Sequence, residues 1–160
     1  MRWRAIRHAL KRRLFPCYPL SPLITLNIEL LEQSLNVVKQ QSADFTTKFY
    51  ANLFADYPEL EPLFANARMT EQGKKLFAAL VLTIDNLQNP DLLTATLKGL
   101  GTRHIKYGVL PQHYPMVGNS LLKSLESCLG NGWTIEVKQA WIEAYTAVTQ
   151  LMLDGAEVIE

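Results

Sequence analysis

Apolar residues recur at steps of three and four along almost the whole chain from about residue 25 onward. The clearest stripe runs through Leu93, Leu97, Leu100, His104 and Tyr107, at steps of four, three, four and three. This spacing places side chains on one face of an α-helix. No period-two alternation of useful length is present, so a sheet is not expected. The sequence therefore predicts an all-α fold of about six substantial helices with some short ones.

Residues with strong positional preferences predict where these helices begin and end. Asn89 followed by Pro90 is typical of an N-cap and the first helical residue. Further helix starts are predicted at Ser42, after Thr70, at Pro111 and at Thr134, and a short helical turn is predicted at 59–64 between Pro58 and Pro62. Glycines favour the residue after a helix. They predict ends at Gly108, Gly130 and Gly155.

The chain has the size and composition of one folded domain. Its 160 residues are 48% hydrophobic and 19% charged, which excludes the disordered and low-complexity classes. No apolar run is long enough to span a bilayer. The two cysteines, Cys17 and Cys128, lack metal-ligand spacing and favour free thiols in a reducing compartment. We therefore expect a cytoplasmic location.

Charge is distributed unevenly along the chain. Residues 1–22 carry six basic residues and no acid, whereas the rest carries ten basic and fifteen acidic residues. The main body is thus mildly acidic, and nucleic-acid binding is not expected. Trp3, Ile6, Leu10 and Leu14 form an apolar stripe in the basic segment, which allows at most weak contact with an anionic membrane. The alternative is an extension without a function, or one that precedes the start codon in use. We expect residues 1–22 to be an extension and residues 23–160 to form the domain.

His104 is the most informative candidate for chemistry, because no phosphate loop, paired-cysteine zinc pattern or nucleophile elbow is present. It continues an apolar stripe, which leaves two interpretations. The ring is a buried neutral imidazole bonded to a carbonyl or hydroxyl, or it is an axial metal or haem ligand. Gly99 and Gly101 in the same helix indicate either a close backbone approach or loose packing.

Other polar residues carry weaker signals. Tyr50 lies among apolar residues, where a core role is usual for its ring. Gln72 shares a helix face with Leu76 but lies near a helix start, where a solvent-facing side chain is the ordinary expectation. His113 is expected to be exposed, and Cys128 to act as a small hydrophobic residue on a core stripe.

Five segments, taken in order and spacing, resemble the globin family. They are 49–54 (FYANLF), 57–64 (YPELEPLF), 103–109 (RHIKYGV), 112–118 (QHYPMVG) and 140–145 (AWIEAY). The resemblance is to single-domain bacterial haemoglobins and to the haem domain of flavohaemoglobins, and it covers about residues 25–155. It implies a globin fold of six to eight helices around a pocket for haem b.

The resemblance also implies residue roles. His104 would be the proximal iron ligand, and Phe64 would pack on the haem face. Tyr50, Gln72 and Leu76 would form the distal pocket, with Tyr50 and Gln72 as hydrogen-bond donors to a bound gas. Further contacts with the cofactor are expected from Lys75 (to a propionate), Arg103, Val109, Tyr114, Val117 and Tyr145.

The function that the resemblance implies is reversible binding of dioxygen, nitric oxide or carbon monoxide at a penta-coordinate iron, in a monomer or homodimer. One alternative is a nitric oxide dioxygenase. Another is a gas sensor or interaction module with the same fold. The chain has no flavin or nicotinamide motif, so turnover would need a separate flavoprotein reductase. One departure from flavohaemoglobins is expected on the proximal side, where a glutamate position falls at Ala156, beside Glu157.

Overall fold

The computed structural model describes residues 26–157, which form six α-helices and two short 3-10 helices. The α-helices are α1 (Ile28–Lys39), α2 (Ser42–Asp56), α3 (Met69–Asp85), α4 (Pro90–Lys106), α5 (His113–Leu129) and α6 (Ile135–Ala156). The 3-10 helices are Pro58–Phe64 and Gly130–Gly132. The predicted all-α fold is confirmed for these residues, which contain no strand.

Two helix pairs form the main packing layers, since α4 lies along α6 and α2 lies along α5. The predicted stripe of Phe45, Phe49 and Leu53 on α2 is buried in the core. Trp141 on α6 is also buried, and its indole Nε1 donates to Ser34 Oγ on α1 at 2.9 Å. This bond satisfies a polar atom that would otherwise be desolvated without a partner. Apolar faces thus meet in one core, as the periodicity predicted.

Several predicted helix ends are confirmed by their hydrogen bonds and backbone angles. The Asn89 side chain accepts from the Leu92 amide at 3.4 Å, and Thr134 Oγ1 accepts from the Val137 amide at 3.2 Å. Gly108 and Gly130 adopt φ angles of 83° and 52°, which suit glycine at a helix end. These four residues fix both ends of α4, the end of α5 and the start of α6.

Other predicted boundaries are wrong in whole or in part. The helix start predicted at Ser42 is correct, although the N-cap is Gln41, whereas α3 begins at Met69 and so contains Thr70. Pro111 precedes α5 instead of starting it, since it belongs to a turn in which the Tyr114 amide donates to its carbonyl. Gly155 does not end α6. It lies within the helix, where its missing side chain leaves room for the backbone of α4.

The basic segment, residues 1–22, and the membrane contact considered for it lie outside the described residues, as does Cys17. Cys128 is a partly buried free thiol on α5, and burial raises its pKa. In the described part of the chain, no helix is both long and apolar enough to cross a membrane.

Candidate functional site

His104 lies near the end of α4 and is partly buried. Its Nδ1 is 2.9 Å from the carbonyl oxygen of Leu100, one turn earlier. A carbonyl can only accept, so Nδ1 donates its proton and Nε2 keeps the lone pair. Burial lowers the pKa of His104, the bond to Leu100 opposes that shift, and the nearby charge of Arg103 adds to it. His104 is therefore a neutral imidazole whose Nε2 is available as a ligand.

Tyr114 on α5 packs beside His104, and Tyr145 on α6 hydrogen-bonds the backbone of Tyr114. The rings of His104 and Tyr114 are stacked, with centroids 6.3 Å apart and planes inclined at 27°. Burial raises the pKa of Tyr114 to about 12. The Tyr145 hydroxyl donates to the Tyr114 carbonyl at 2.6 Å, and burial raises its pKa as well. Both phenols stay protonated at neutral pH.

Gly118 on α5 makes room for the Tyr145 ring. A Cβ added at Gly118 would lie 2.5 Å from Cε1 of that ring, closer than carbon atoms approach. The glycine therefore lets α5 and α6 approach closely beside Tyr114.

Tyr50 forms a second cluster on α2 with rings from neighbouring elements. It is 8% exposed, and its ring lies 5.5 Å from Phe64 and 5.9 Å from Phe54. Burial raises the pKa of Tyr50, and a side-chain hydrogen bond with Gln72 opposes that shift. Gln72 is partly buried, so the expectation of a solvent-facing side chain is wrong. The structure thus brings the two predicted distal donors together.

The loop after α4 brings these two groups of residues toward each other. The Val109 amide donates to the His104 carbonyl at 3.0 Å. A Cβ on the preceding Gly108 would be 3.6 Å from the side chain of Leu63, the residue before Phe64. The loop that follows His104 therefore lies next to Leu63, the residue before Phe64.

The remaining predicted site residues differ in exposure. Leu76, Val109 and Val117 are partly buried and pack on the core. Lys75 and Arg103 are exposed. Ala156 is buried at the end of α6, and Glu157 is exposed at its C-cap.

His113 differs from His104 in the use of its ring. It is partly buried and not exposed as expected. Its Nδ1 accepts from the Leu110 amide at 3.1 Å, so the lone pair that a metal would need is already used at that nitrogen. Burial lowers the pKa of His113, and the charge of Glu59 opposes that shift.

The two glycines of α4 have different surroundings. A Cβ at Gly99 would meet nothing within 4 Å, whereas a Cβ at Gly101 would collide with the Met152 carbonyl. The close approach predicted for this helix therefore occurs at Gly101 alone.

Thr102 was missed by the sequence analysis. Its Oγ1 donates to the Gly155 carbonyl at 2.9 Å, and no local signal in the sequence distinguishes this threonine from an exposed one.

Among residues 26–157, no group of three or more His, Cys, Asp or Glu side chains could hold a metal ion by itself. A metal at His104 in this part of the chain would thus need its other ligands from a cofactor.

Comparison with known proteins identifies clear relatives. The sequence profile described as Globin matches residues 47–152. A flavohemoprotein of Rhizobium meliloti is 32% identical over 126 residues, which cover 78% of this chain and 31% of the relative. The chain spans about a third of the length of the flavohemoproteins that it matches.

Solved structures share the architecture as well. A bacterial globin from Campylobacter jejuni aligns with a TM-score of 0.73 and 27% identity, covering 82% of this chain and 95% of that one. An engineered carbene transferase from Rhodothermus marinus, also described as a candidate nitric oxide dioxygenase, aligns with a TM-score of 0.74 and 28% identity over 82% of this chain and 92% of that one. These alignments confirm the predicted fold.

Proposed function

Because the chain belongs to the globin family of haem proteins, we propose that it holds haem b through His104 and reversibly binds dioxygen and other diatomic gases. The observation that carries this proposal is the state of His104. Its Nδ1 is fixed by the Leu100 carbonyl, its pKa is lowered, and its Nε2 lone pair is left for an iron ligand. A buried imidazole with a purely structural role would show the same bond, and what favours the ligand role for His104 is the match to the Globin family.

The described residues fit the cofactor in chemistry. One neutral imidazole is the protein ligand that a five-coordinate haem requires. The rings of Phe54 and Phe64 and the side chains of Leu76, Val109 and Val117 offer apolar surface to a flat apolar group. Lys75 and Arg103 are exposed, where their charges can meet propionates. We assign Tyr114 and Tyr145 to the proximal side, where they support His104.

Tyr50 and Gln72 are suited to hold a gas ligand. Haem supplies an iron atom that binds diatomic gases and, when reduced, shifts electron density toward dioxygen. The Tyr50 hydroxyl and the Gln72 amide are donors, which stabilise such a polarised ligand. Because burial raises the pKa of Tyr50, the phenol stays protonated and donates instead of ligating as a phenolate. Leu76 keeps the entry apolar and limits access of water.

An absorption spectrum of the purified protein tests the proposal. The reduced protein should show a five-coordinate ferrous spectrum that changes on exposure to air and returns when oxygen is removed. A protein that takes up no haem, or that oxidises at once without an intermediate spectrum, would contradict it. A gas sensor would share the spectrum, and a haem-free interaction module would lack it.

A second candidate function is the oxidation of nitric oxide to nitrate, which the flavohemoprotein relatives and the Rhodothermus marinus structure favour. Each nitrate formed consumes one nitric oxide, one dioxygen and one electron. We propose that a flavoprotein reductase supplies the electron. An electrode assay should show steady nitric oxide consumption only when such a reductase is added to nicotinamide cofactor and protein.

A cytoplasmic location, a monomeric or dimeric state and weak anionic-membrane contact through residues 1–22 stay predictions from the sequence. The membrane contact is tested by sedimentation with anionic vesicles. Full-length protein should sediment more than a variant lacking residues 1–22, and equal sedimentation would exclude the contact.

A further inference from the structure

Backbone atoms of α4 and α6 approach each other closely at two glycines. A Cβ at Gly101 would collide with the Met152 carbonyl, and a Cβ at Gly155 would collide with the Lys98 carbonyl. The contact is reciprocal, since each helix contributes one glycine and one facing carbonyl. We call this contact the glycine clasp.

A hydrogen bond ties the same two helices together. Thr102 Oγ1 on α4 donates to the Gly155 carbonyl on α6 at 2.9 Å. Gly155 is thus enclosed from two directions, by the backbone at Lys98 and by the Thr102 hydroxyl. Helix pairs packed through side chains lie about 8–10 Å apart, and glycines permit a shorter distance. A contact between backbone atoms cannot be relieved by a change of rotamer.

The glycine clasp lies within one turn of His104. Gly101 is three residues before His104, and Leu100, whose carbonyl holds His104 Nδ1, directly precedes Gly101. Any shift or rotation of α4 against α6 therefore carries both the imidazole and the group that orients it. The helix ends soon afterwards, at Lys106, so no long C-terminal segment holds it in place.

We propose that the glycine clasp is a positioning device for the proximal ligand: Gly101, Gly155 and Thr102 set where His104 Nε2 is presented to the iron. This inference rests on the proposed haem function. It assigns a role to three residues outside the set expected to contact the cofactor, and it separates them from Gly99, which has open space around it.

Gly101→Ala tests the proposal, with Gly99→Ala as its matched control on the same helix. The main readout is the iron–histidine stretching band of the reduced protein in resonance Raman spectra. Gly101→Ala should displace or broaden this band, and Gly99→Ala should leave it unchanged. Transfer of haem to an acceptor apoprotein should be faster in Gly101→Ala by roughly fivefold to 150-fold, the range that one added methyl group in a packed contact produces.

A loss of stability alone would also speed haem transfer, so a third variant separates the two effects. Phe45→Leu alters the core between α2 and α3, where Phe45 packs on Phe77. It should lower stability and leave the iron–histidine band in place. A band displaced equally in Phe45→Leu and Gly101→Ala would overturn the positioning role.

Thr102 keeps the proposal testable if Gly101→Ala does not fold. Thr102→Val removes the hydroxyl and should displace the iron–histidine band less than Gly101→Ala does. Thr102→Ser keeps the hydroxyl and should therefore show the wild-type band. In the haem-free protein, hydrogen exchange of the α4 amides should be faster in Thr102→Val than in Thr102→Ser.

The outcomes distinguish this inference from the function on which it rests. Wild-type protein without haem would overturn both. Wild-type protein with a normal five-coordinate spectrum, and unchanged bands in Gly101→Ala and Thr102→Val, would overturn the glycine clasp as a positioning device and leave the haem function standing.

Discussion

The two sides of the candidate site are held in place by different kinds of contact. On the side that we propose to be proximal, backbone groups hold the key residues: the Leu100 carbonyl orients His104, the Tyr114 carbonyl accepts from the Tyr145 hydroxyl, and Gly101 contacts the backbone of α6. On the distal side, Tyr50 is held by the rings of Phe54 and Phe64 and by the Gln72 side chain.

This difference has a consequence for how each side responds to change. Backbone carbonyls move only when a helix moves, whereas rings and amide side chains can rotate within a fixed fold. We therefore expect the proximal side to be intolerant of added volume and the distal side to adapt. A metal ligand needs a fixed position, while a gas pocket needs donors that can follow the ligand.

The largest expected effect is on haem retention, in a comparison of two histidines. His104→Ala should lose stable, stoichiometric haem, because among residues 26–157 it removes the imidazole whose Nε2 is available. His113→Ala should keep haem, since its Nδ1 serves the backbone of the turn before α5. The haem absorbance per mole of protein, taken after desalting, measures haem retention in both variants. Normal retention in His104→Ala would remove the distinction between a proximal and a distal side.

The next effect is on folding stability, and it compares glycines that face backbone with glycines that face side chains. Gly101→Ala should lower the free energy of unfolding by about 3 kcal/mol, at the upper end for overpacking, because the Met152 carbonyl cannot swing away. Gly118→Ala should lower it by about 1 kcal/mol, since the Tyr145 ring can shift. Gly99→Ala should raise it by up to about 1 kcal/mol through helix propensity.

Urea unfolding followed by circular dichroism gives these values. Equal losses for Gly101→Ala and Gly118→Ala would show that side-chain and backbone contacts are equally rigid here.

The helices and the residues of the site were predictable from the sequence to different degrees. The stripes of α2 and α4 are local patterns, so periodicity placed Phe45, Phe49, Leu93 and Leu97 in the core correctly. Gly155 was misassigned as a helix end because its reason lies in Lys98, more than fifty positions away along the chain. The preference for glycine after helices is a local rule, so it does not include a contact with a residue that is distant in sequence and close only in the fold.

Within the candidate site, the roles of the residues stay predictions, whereas their environments can be compared with the structure. The resemblance selected His104, Tyr50 and Gln72, but the hydrogen-bonded state of His104 follows from the helical position of Leu100. The exposure of His113 was predicted wrongly because residues at a helix start are usually exposed to solvent. Here the imidazole folds back onto the Leu110 amide, which a sequence pattern does not encode.

A smaller effect distinguishes the proximal side by its pH dependence. At pH 8, Tyr145→Phe should lower the free energy of unfolding by about 1 kcal/mol, because the Tyr114 carbonyl loses its donor. Burial raises the pKa of Tyr145 in the folded state. Above pH 10 the unfolded chain releases this proton and the folded chain keeps it, so the wild type loses about 1.4 kcal/mol per pH unit from this group.

The difference between wild type and Tyr145→Phe should therefore vanish near pH 11. Tyr114, whose pKa is about 12, contributes the same fall to both proteins. Urea unfolding between pH 8 and pH 11 tests this, and a constant difference across that range would show that the Tyr145 hydroxyl is not held in a desolvated bond.

The smallest expected effect is on the distal side. Tyr50→Phe and Gln72→Leu each remove one neutral donor, which contributes about 0.5–1.5 kcal/mol. Dissociation of dioxygen should be faster by roughly twofold to thirteenfold in each variant. Because the two side chains are neighbours and can adapt, the double variant should lose less than the sum of the two single losses. Stopped-flow measurements of dioxygen dissociation give the rates of all three variants.

Unchanged rates in both single variants would show that neither residue is a donor. Strictly additive losses would show that the distal cluster is as rigid as the proximal one.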